Sequence, residues 1–140
     1  MGFMKKIMII DDDKDVRDVI EFVLTEEGFE VLGHENGSEA LKVLLSMSPE
    51  NYPDLIIVDN LMPVMNGVEF IFNIKKKYRH KLGEIPIAFS SAFGEIDPEL
   101  NEFPEILCLN KPMELEELLA LVKKAPAFDR GQFNLDSISR

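Results

Sequence analysis

The chain has 140 residues, a net charge of −11 and 46 % hydrophobic residues, which is the size and balance of one globular domain. The acidic excess argues against binding to nucleic acid or to an anionic membrane, because phosphate contacts need clustered cations. A single cysteine, Cys108, excludes an internal disulfide, and no apolar run approaches the roughly 20 residues of a membrane span. We therefore expect a cytoplasmic protein.

Short apolar runs alternate with helical patterns along the chain. The first run, Lys6–Ile10, predicts a buried strand, and apolar residues from Val16 through Val19 to Leu24 predict a helix that ends at Gly28. Further strands are predicted at Glu30–His34, Leu55–Val58, Ile87–Ser90 and Ile106–Leu109. Helices are predicted around Ala40–Leu45, Val68–Lys77 and Met113–Lys124, while residues 93–103 allow only a short helix.

Five strands that alternate with about five helices predict an α/β fold, a parallel sheet with helices on both faces. Ligands of such sheets bind beyond the carboxyl ends of the strands. The residues at those ends are Asp11, Asp12, Asp13, Asp59, Ser91 and Lys111.

Several charged groups at neighbouring strand ends predict a phosphoryl site that depends on a metal ion. Carboxylates of Asp11, Asp12 and Asp59 would repel one another without a cation, and Mg²⁺ favours such oxygen ligands. Ser91 and Lys111 supply a hydroxyl and an ammonium for phosphoryl oxygens. A carboxylate at the place of Asp59 is able to attack phosphorus and form an acyl phosphate. Asp13 is instead expected to cap the first helix.

Four stretches of the sequence carry a resemblance to a known family. They are Ile7–Asp13 (IMIIDDD), Asp54–Gly67 (DLIIVDNLMPVMNG), Ile85–Ala92 (IPIAFSSA) and Leu109–Pro112 (LNKP). In this order and spacing the chain resembles a receiver domain of the bacterial response-regulator family, the phosphoacceptor half of two-component signalling. It is most similar to stand-alone receivers of the chemotaxis-regulator kind. The resemblance implies a flavodoxin-like, doubly wound (βα)5 fold with strand order 2-1-3-4-5.

The resemblance also implies roles for the residues at the strand ends. The ligands of Mg²⁺, with Mn²⁺ as the alternative ion, would be Asp11, Asp12, Asp59 and the backbone carbonyl of Leu61. Asp59 matches the phosphoacceptor, Ser91 the switch hydroxyl and Lys111 the phosphate-binding lysine. Cys108 departs from the family, because a Tyr or Phe often stands at this place. On a buried strand we expect Cys108 to be a core residue and not a reactive thiol.

The expected partners follow from the same resemblance. A histidine kinase or a histidine phosphotransfer protein would donate phosphate to Asp59, and the change would alter binding to a downstream protein. Such a protein is a monomer or weak dimer and catalyses only its own phosphorylation and dephosphorylation. Residues 1–124 would form the receiver domain, and residues 125–140 would form a tail too short for an output domain. Neither nucleic acid nor membrane is an expected partner.

Other site classes fit the acidic run less well. A phosphatase of the haloacid-dehalogenase class matches Asp11 and Asp13, but Asp15 occupies the last place of its motif. An EF-hand loop fails because Val16 stands where glycine is needed and Phe22 where the bidentate glutamate belongs. No glycine-rich phosphate loop of a nucleotide-binding domain is present. Two alternatives stay open: a binding module of the same fold that is not phosphorylated, and a receiver excised from a larger hybrid kinase or regulator.

Overall fold

The strands and helices alternate as predicted in the computed structural model, which describes residues 5–91, 97–111 and 114–125. The strands are β1 (Lys6–Ile10), β2 (Glu30–His34), β3 (Leu55–Asp59), β4 (Ile87–Ser91) and β5 (Leu107–Asn110). The helices are α1 (Lys14–Glu26), α2 (Gly37–Ser46), α3 (Gly67–Phe72), α4 (Arg79–Leu82) and α5 (Leu115–Lys124). A π-helical turn at Asn73–Lys77 joins α3 to α4, and short 3₁₀ helices cover Pro49–Asn51 and Pro98–Glu102. Gly28, two residues after α1, has a positive φ of +94°, which glycine adopts without strain.

Part of the predicted tail can be placed. Ala125 is buried next to the end of α5. Residues 126–140 lie outside the described residues, as do Ala92 and Pro112 of the sequence motifs.

All five strands are parallel, and their order is β2-β1-β3-β4-β5, as predicted. In the sheet, β2 lies on one side of β1 and β3 lies on the other side. The carboxyl ends of β1 and β3 therefore lie side by side at the point where the strand order reverses, which is where ligands bind in such sheets. Every residue of β3 is buried.

The two faces of the sheet carry separate apolar clusters. One cluster joins α1 and α5 to residues such as Ile9, Ile57 and Ala88. The other joins α2 and α3 to residues such as Val58 and Phe89. Since side chains alternate between faces along a strand, Asp59 and Ser90 continue the α1–α5 face.

The prediction that Cys108 is a core residue is wrong. Its thiol lies on β5, which stands at the edge of the described sheet and pairs with β4, and it is exposed. Within β5 only Leu109 is buried, against α5. The predicted stripe of α1 is also too broad, because Ile20 and Leu24 are buried while Val19 is 51 % exposed.

Candidate functional site

Three carboxylates meet at the carboxyl ends of β1 and β3. One oxygen from each of Asp11, Asp12 and Asp59 lies within 4.8 Å of the other two. Asp11 and Asp59 are only 4 % and 6 % exposed, whereas Asp12 is exposed to solvent. Two apolar strands that each end in an aspartate, next to each other in the sheet, produce this arrangement.

Lys111 reaches the cluster from the end of β5. Its Nζ lies 3.0 Å from Oδ1 of Asp59 and 3.2 Å from Oδ2 of Asp11. The backbone N–H of Lys111 donates to the carbonyl of Ser91 at 2.9 Å, which extends the pairing of β5 with β4 by one residue. One ammonium is therefore shared between two buried carboxylates, and the cluster keeps an excess of negative charge.

The surroundings in the cluster raise the pKa of two of its groups, Asp59 and Lys111. Burial raises the pKa of Asp59, the hydrogen bond and charge of Lys111 lower it, and the charges of Asp11 and Asp12 raise it again; the net pKa lies above that of an ordinary aspartate. For Lys111, burial lowers the pKa, but the carboxylates of Asp59 and Asp11 outweigh burial and raise it. The lysine therefore stays charged, and a further cation beside the carboxylates would stabilise their ionised form.

Asp11 is held in place through its backbone as well as its side chain. Its N–H donates to the carbonyl of His34 at 3.1 Å, and its Oδ1 accepts from the N–H of Asp13 at 2.9 Å. Nη1 of Arg17 donates to its carbonyl oxygen at 2.6 Å. Asp13 caps α1 as predicted, because its Oδ1 accepts from the N–H groups of Asp15 and Val16.

The loop after β3 passes close to Asp59. A Cβ on Gly67 would lie 2.5 Å from the carbonyl oxygen of Asp59, so only glycine fits this position. Leu61 and Val64, in the same loop, have side chains that are 71 % and 82 % exposed. Val64 has a φ of 70°, which is unusual for a β-branched residue. Asn66 and Glu69 form a capping box that starts α3.

The two serines at the end of β4 differ in their surroundings. Ser91, the predicted switch hydroxyl, is partly buried at the last position of the strand. Ser90 is 1 % exposed and pairs in register with Asp59. Within the described part of the chain, no hydrogen-bond partner lies near Oγ of Ser90.

Oxygen ligands, a lysine and a hydroxyl at one sheet edge are suited to phosphoryl chemistry. The acidic cluster fits a hard divalent cation, which binds through carboxylate oxygens. Lys111 and Ser91 stand at the ends of β5 and β4, where they are able to approach oxygens of a group attached to Asp59. The carboxylates thus lie on one side of Asp59, and the side chains suited to phosphoryl oxygens follow the neighbouring strands.

Comparison with known proteins shows the family of the chain. A sequence profile described as the response regulator receiver domain matches residues 7–123. The chain belongs to this family. Receiver domains are signalling modules and not classical enzymes; they bind Mg²⁺ at an acidic cluster and interact with histidine kinases or phosphotransfer proteins.

Solved structures of other receivers share the fold of this receiver domain. A protein of Chloroflexus aurantiacus named as a response regulator is 31 % identical, with 88 % of this chain and 98 % of that chain covered and a TM-score of 0.74. The chemotaxis protein CheY4 of Vibrio cholerae is 28 % identical, with 89 % and 100 % covered and a TM-score of 0.71. The signal receiver domain of a Syntrophus aciditrophicus histidine kinase is 27 % identical, with 86 % and 89 % covered and a TM-score of 0.73.

Sequence reasoning about this receiver domain missed two residues next to the acidic cluster. Arg17 lies on a helix and carries no motif signal, and its bond to Asp11 depends on how α1 packs. Ser90 stands next to the predicted Ser91, and only the strand register shows which serine pairs with Asp59. Among the described residues, no helix is both long enough and apolar enough to span a membrane.

Proposed function

We propose that this receiver domain accepts a phosphoryl group on Asp59 and that its phosphorylated form has an altered affinity for a downstream protein. The observation that carries the proposal is the buried carboxylate of Asp59, which shares Lys111 with Asp11 and lies within 4.8 Å of the other two acidic groups. The donor would be the phosphohistidine of a histidine kinase or of a phosphotransfer protein.

The ligands proposed for Mg²⁺, or for Mn²⁺ in its place, are Asp11, Asp12, Asp59 and the backbone carbonyl of Leu61. The fit rests on the donor set, because three carboxylates converge and, among the described residues, one ammonium, that of Lys111, contacts them and does not neutralise them. A divalent ion bound there supplies positive charge for the oxygens of the transferring group.

The chemistry proposed for the residues is a direct displacement at phosphorus. An oxygen of Asp59 forms a bond to phosphorus, the bond from phosphorus to the donor imidazole nitrogen breaks, and the electron pair stays on that nitrogen. Lys111 then exchanges its contact with the carboxylate for one with a phosphoryl oxygen, and the hydroxyl of Ser91 donates to another. Movement of these two residues at the ends of β4 and β5 would shift the domain between two states.

The remaining features of the proposal concern the setting of the domain. We place the receiver domain at residues 1–124, in a protein that acts as a monomer or weak dimer through protein partners. The net charge of −11 supports the absence of nucleic acid and membrane among these partners. We expect the protein to act in the cytoplasm, together with its phosphohistidine donor.

Intact mass spectrometry after incubation with Mg²⁺ and acetyl phosphate tests the proposal. We expect the wild type to gain one phosphate, and expect this gain to be lost in Asp59→Asn and in EDTA. Asp18→Asn is the matched control, because Asp18 is an exposed aspartate on α1 that pairs with Lys14 and should not affect the gain. A folded wild type that gains no phosphate and does not bind beryllofluoride with Mg²⁺ would contradict the proposal and favour a binding module that is not phosphorylated.

A further inference from the structure

Arg17 connects α1 to the backbone of the acidic cluster. It lies on the first turns of the helix, and its Nη1 donates to the carbonyl oxygen of Asp11 at 2.6 Å. Its aliphatic stem passes beside β2 at Gly33, where an added Cβ would lie 3.9 Å from Cδ of Arg17. The guanidinium is only partly exposed. A long side chain is thus held in one direction, toward one carbonyl.

The carbonyl that Arg17 contacts belongs to the peptide between Asp11 and Asp12. The side chain of Asp11 has its own anchors, the N–H of Asp13 and Nζ of Lys111. Asp12 is exposed, and within the described ranges no hydrogen bond holds its carboxylate. The direction of the Asp12 side chain therefore depends on the orientation of the peptide that precedes it, and the carbonyl oxygen of this peptide accepts from Arg17.

We propose that Arg17 is a positioning residue for the divalent cation: it orients the Asp11–Asp12 peptide so that both carboxylates converge with Asp59. This inference rests on the proposed function. Arg17 does not contact the cation; it acts through a backbone oxygen, in the way that residues behind metal ligands orient those ligands.

Arg17 carries a positive charge and is proposed to position the ligands, and these two properties predict opposite effects of its removal on the affinity for a divalent cation. A guanidinium near the cluster repels a divalent cation, so its removal alone would strengthen cation binding. If Arg17 positions the ligands, its removal weakens binding although a positive charge is lost. The sign of the change in affinity therefore separates the two roles.

Titration calorimetry with Mn²⁺ on the full chain measures this sign. Arg17→Met keeps most of the apolar stem but has no donor, and we expect it to weaken Mn²⁺ binding about tenfold. Arg17→Lys keeps the charge and one donor group, and we expect an affinity between those of Arg17→Met and the wild type. Arg79→Met is the matched control: Arg79 is exposed on α4, which precedes β4 and so lies at the opposite end of the sheet, and its loss should leave the affinity unchanged.

A second measurement separates positioning from a general loss of structure. In EDTA, thermal unfolding of Arg17→Met should stay close to that of the wild type. The rate of phosphorylation by acetyl phosphate should need about tenfold more Mg²⁺ to reach half of its maximum, while the rate at saturating Mg²⁺ returns to the wild-type rate. A lowered maximum with an unchanged Mg²⁺ requirement would overturn the inference.

The outcomes distinguish this inference from the proposed function. If the wild type binds Mn²⁺ and Arg17→Met binds it equally well or more tightly, the positioning role is wrong and the proposed function stands. If the wild type does not bind Mn²⁺, the metal site of the proposed function fails, and the role of Arg17 fails with it. If Arg17→Met does not fold, Arg17→Lys decides, because an affinity equal to that of the wild type would overturn the inference.

Discussion

At the scale of single residues, we expect the buried hydroxyl of Ser90 to lower the free energy of unfolding. Its Oγ lacks a partner among the described residues, and burial without a hydrogen bond costs about 1–3 kcal/mol. We expect Ser90→Ala to raise the free energy of unfolding by about 1 kcal/mol, since alanine removes the unpaired group and opens little space. Urea unfolding monitored by circular dichroism measures the change.

Ser46→Ala is the control for this prediction. Its hydroxyl is exposed and donates to the carbonyl of Val43 at 2.8 Å, so its loss should change stability by at most about 0.5 kcal/mol. A clear loss of stability in Ser90→Ala would show that the hydroxyl has a partner in solution, and would contradict the prediction.

Residues at strand ends were predictable to different degrees. Asp11, Asp12, Asp59 and Lys111 were predicted because each follows an apolar run in a recognisable motif, and the structure brings them together. The burial of Ser90 was not predicted, because two adjacent serines look alike until the register of β3 with β4 is known. The contact of Arg17 depends on helix packing, and the sequence contains no local signal for it.

At the scale of elements, Lys5, which directly precedes β1, forms hydrogen bonds with the carboxyl end of α5. Its Nζ donates to the carbonyl of Val122 at 3.2 Å and also to that of Ala125, at the carboxyl end of α5. A cation at this end of a helix satisfies free carbonyls and opposes the helix dipole. We expect Lys5→Met to lower the free energy of unfolding by about 1 kcal/mol in urea unfolding.

Lys42→Met tests whether this effect is specific to the end of α5. Lys42 is exposed on α2, so its replacement should leave the urea midpoint unchanged. The two variants should have the same dependence on urea concentration as the wild type, because neither changes the surface exposed on unfolding. Equal stability of Lys5→Met and wild type would show that water replaces the lysine at these carbonyls without cost.

The positions of helices and strands along the chain were predicted more accurately than the burial of their individual residues. The ends of the strands were predicted to within one residue, because each is a short apolar run with polar neighbours. The exposure of Cys108 was not predicted, since an apolar run looks the same in the centre of a sheet as at its edge. The exposure of Val19 has a related cause: several residues of α1 satisfy helical spacing, and only packing shows which of them face the sheet.

At the scale of the whole molecule, the parallel sheet collects charges that are far apart in the sequence. Asp11, Asp59 and Lys111 lie at the carboxyl ends of three different strands, and the order of those strands brings them together. The resemblance in the motifs predicted this order correctly, because the motifs mark the ends of the same strands. The raised pKa of Asp59 indicates that the folded site disfavours the negative charge of this carboxylate.

This cost of the Asp59 charge gives the stability a pH dependence with a definite sign. The pKa of Asp59 is raised in the folded state by burial, despite Lys111, and further by the neighbouring carboxylates. An acid with a raised folded pKa ionises more easily when unfolded, so stability falls as pH rises from about 4, the ordinary aspartate value, through the folded pKa. In EDTA at pH 7 we therefore expect Asp59→Asn to unfold at a higher temperature than the wild type. The difference should shrink as the pH falls below about 4, where both states of the wild type are protonated.

Mg²⁺ at pH 7 should raise the midpoint temperature of unfolding of the wild type more than that of Asp59→Asn, because a ligand stabilises the state that binds it. A variant less stable than the wild type at pH 7 in EDTA would mean that the pairing with Lys111 outweighs burial, and the fold would then gain from this carboxylate even without a cation.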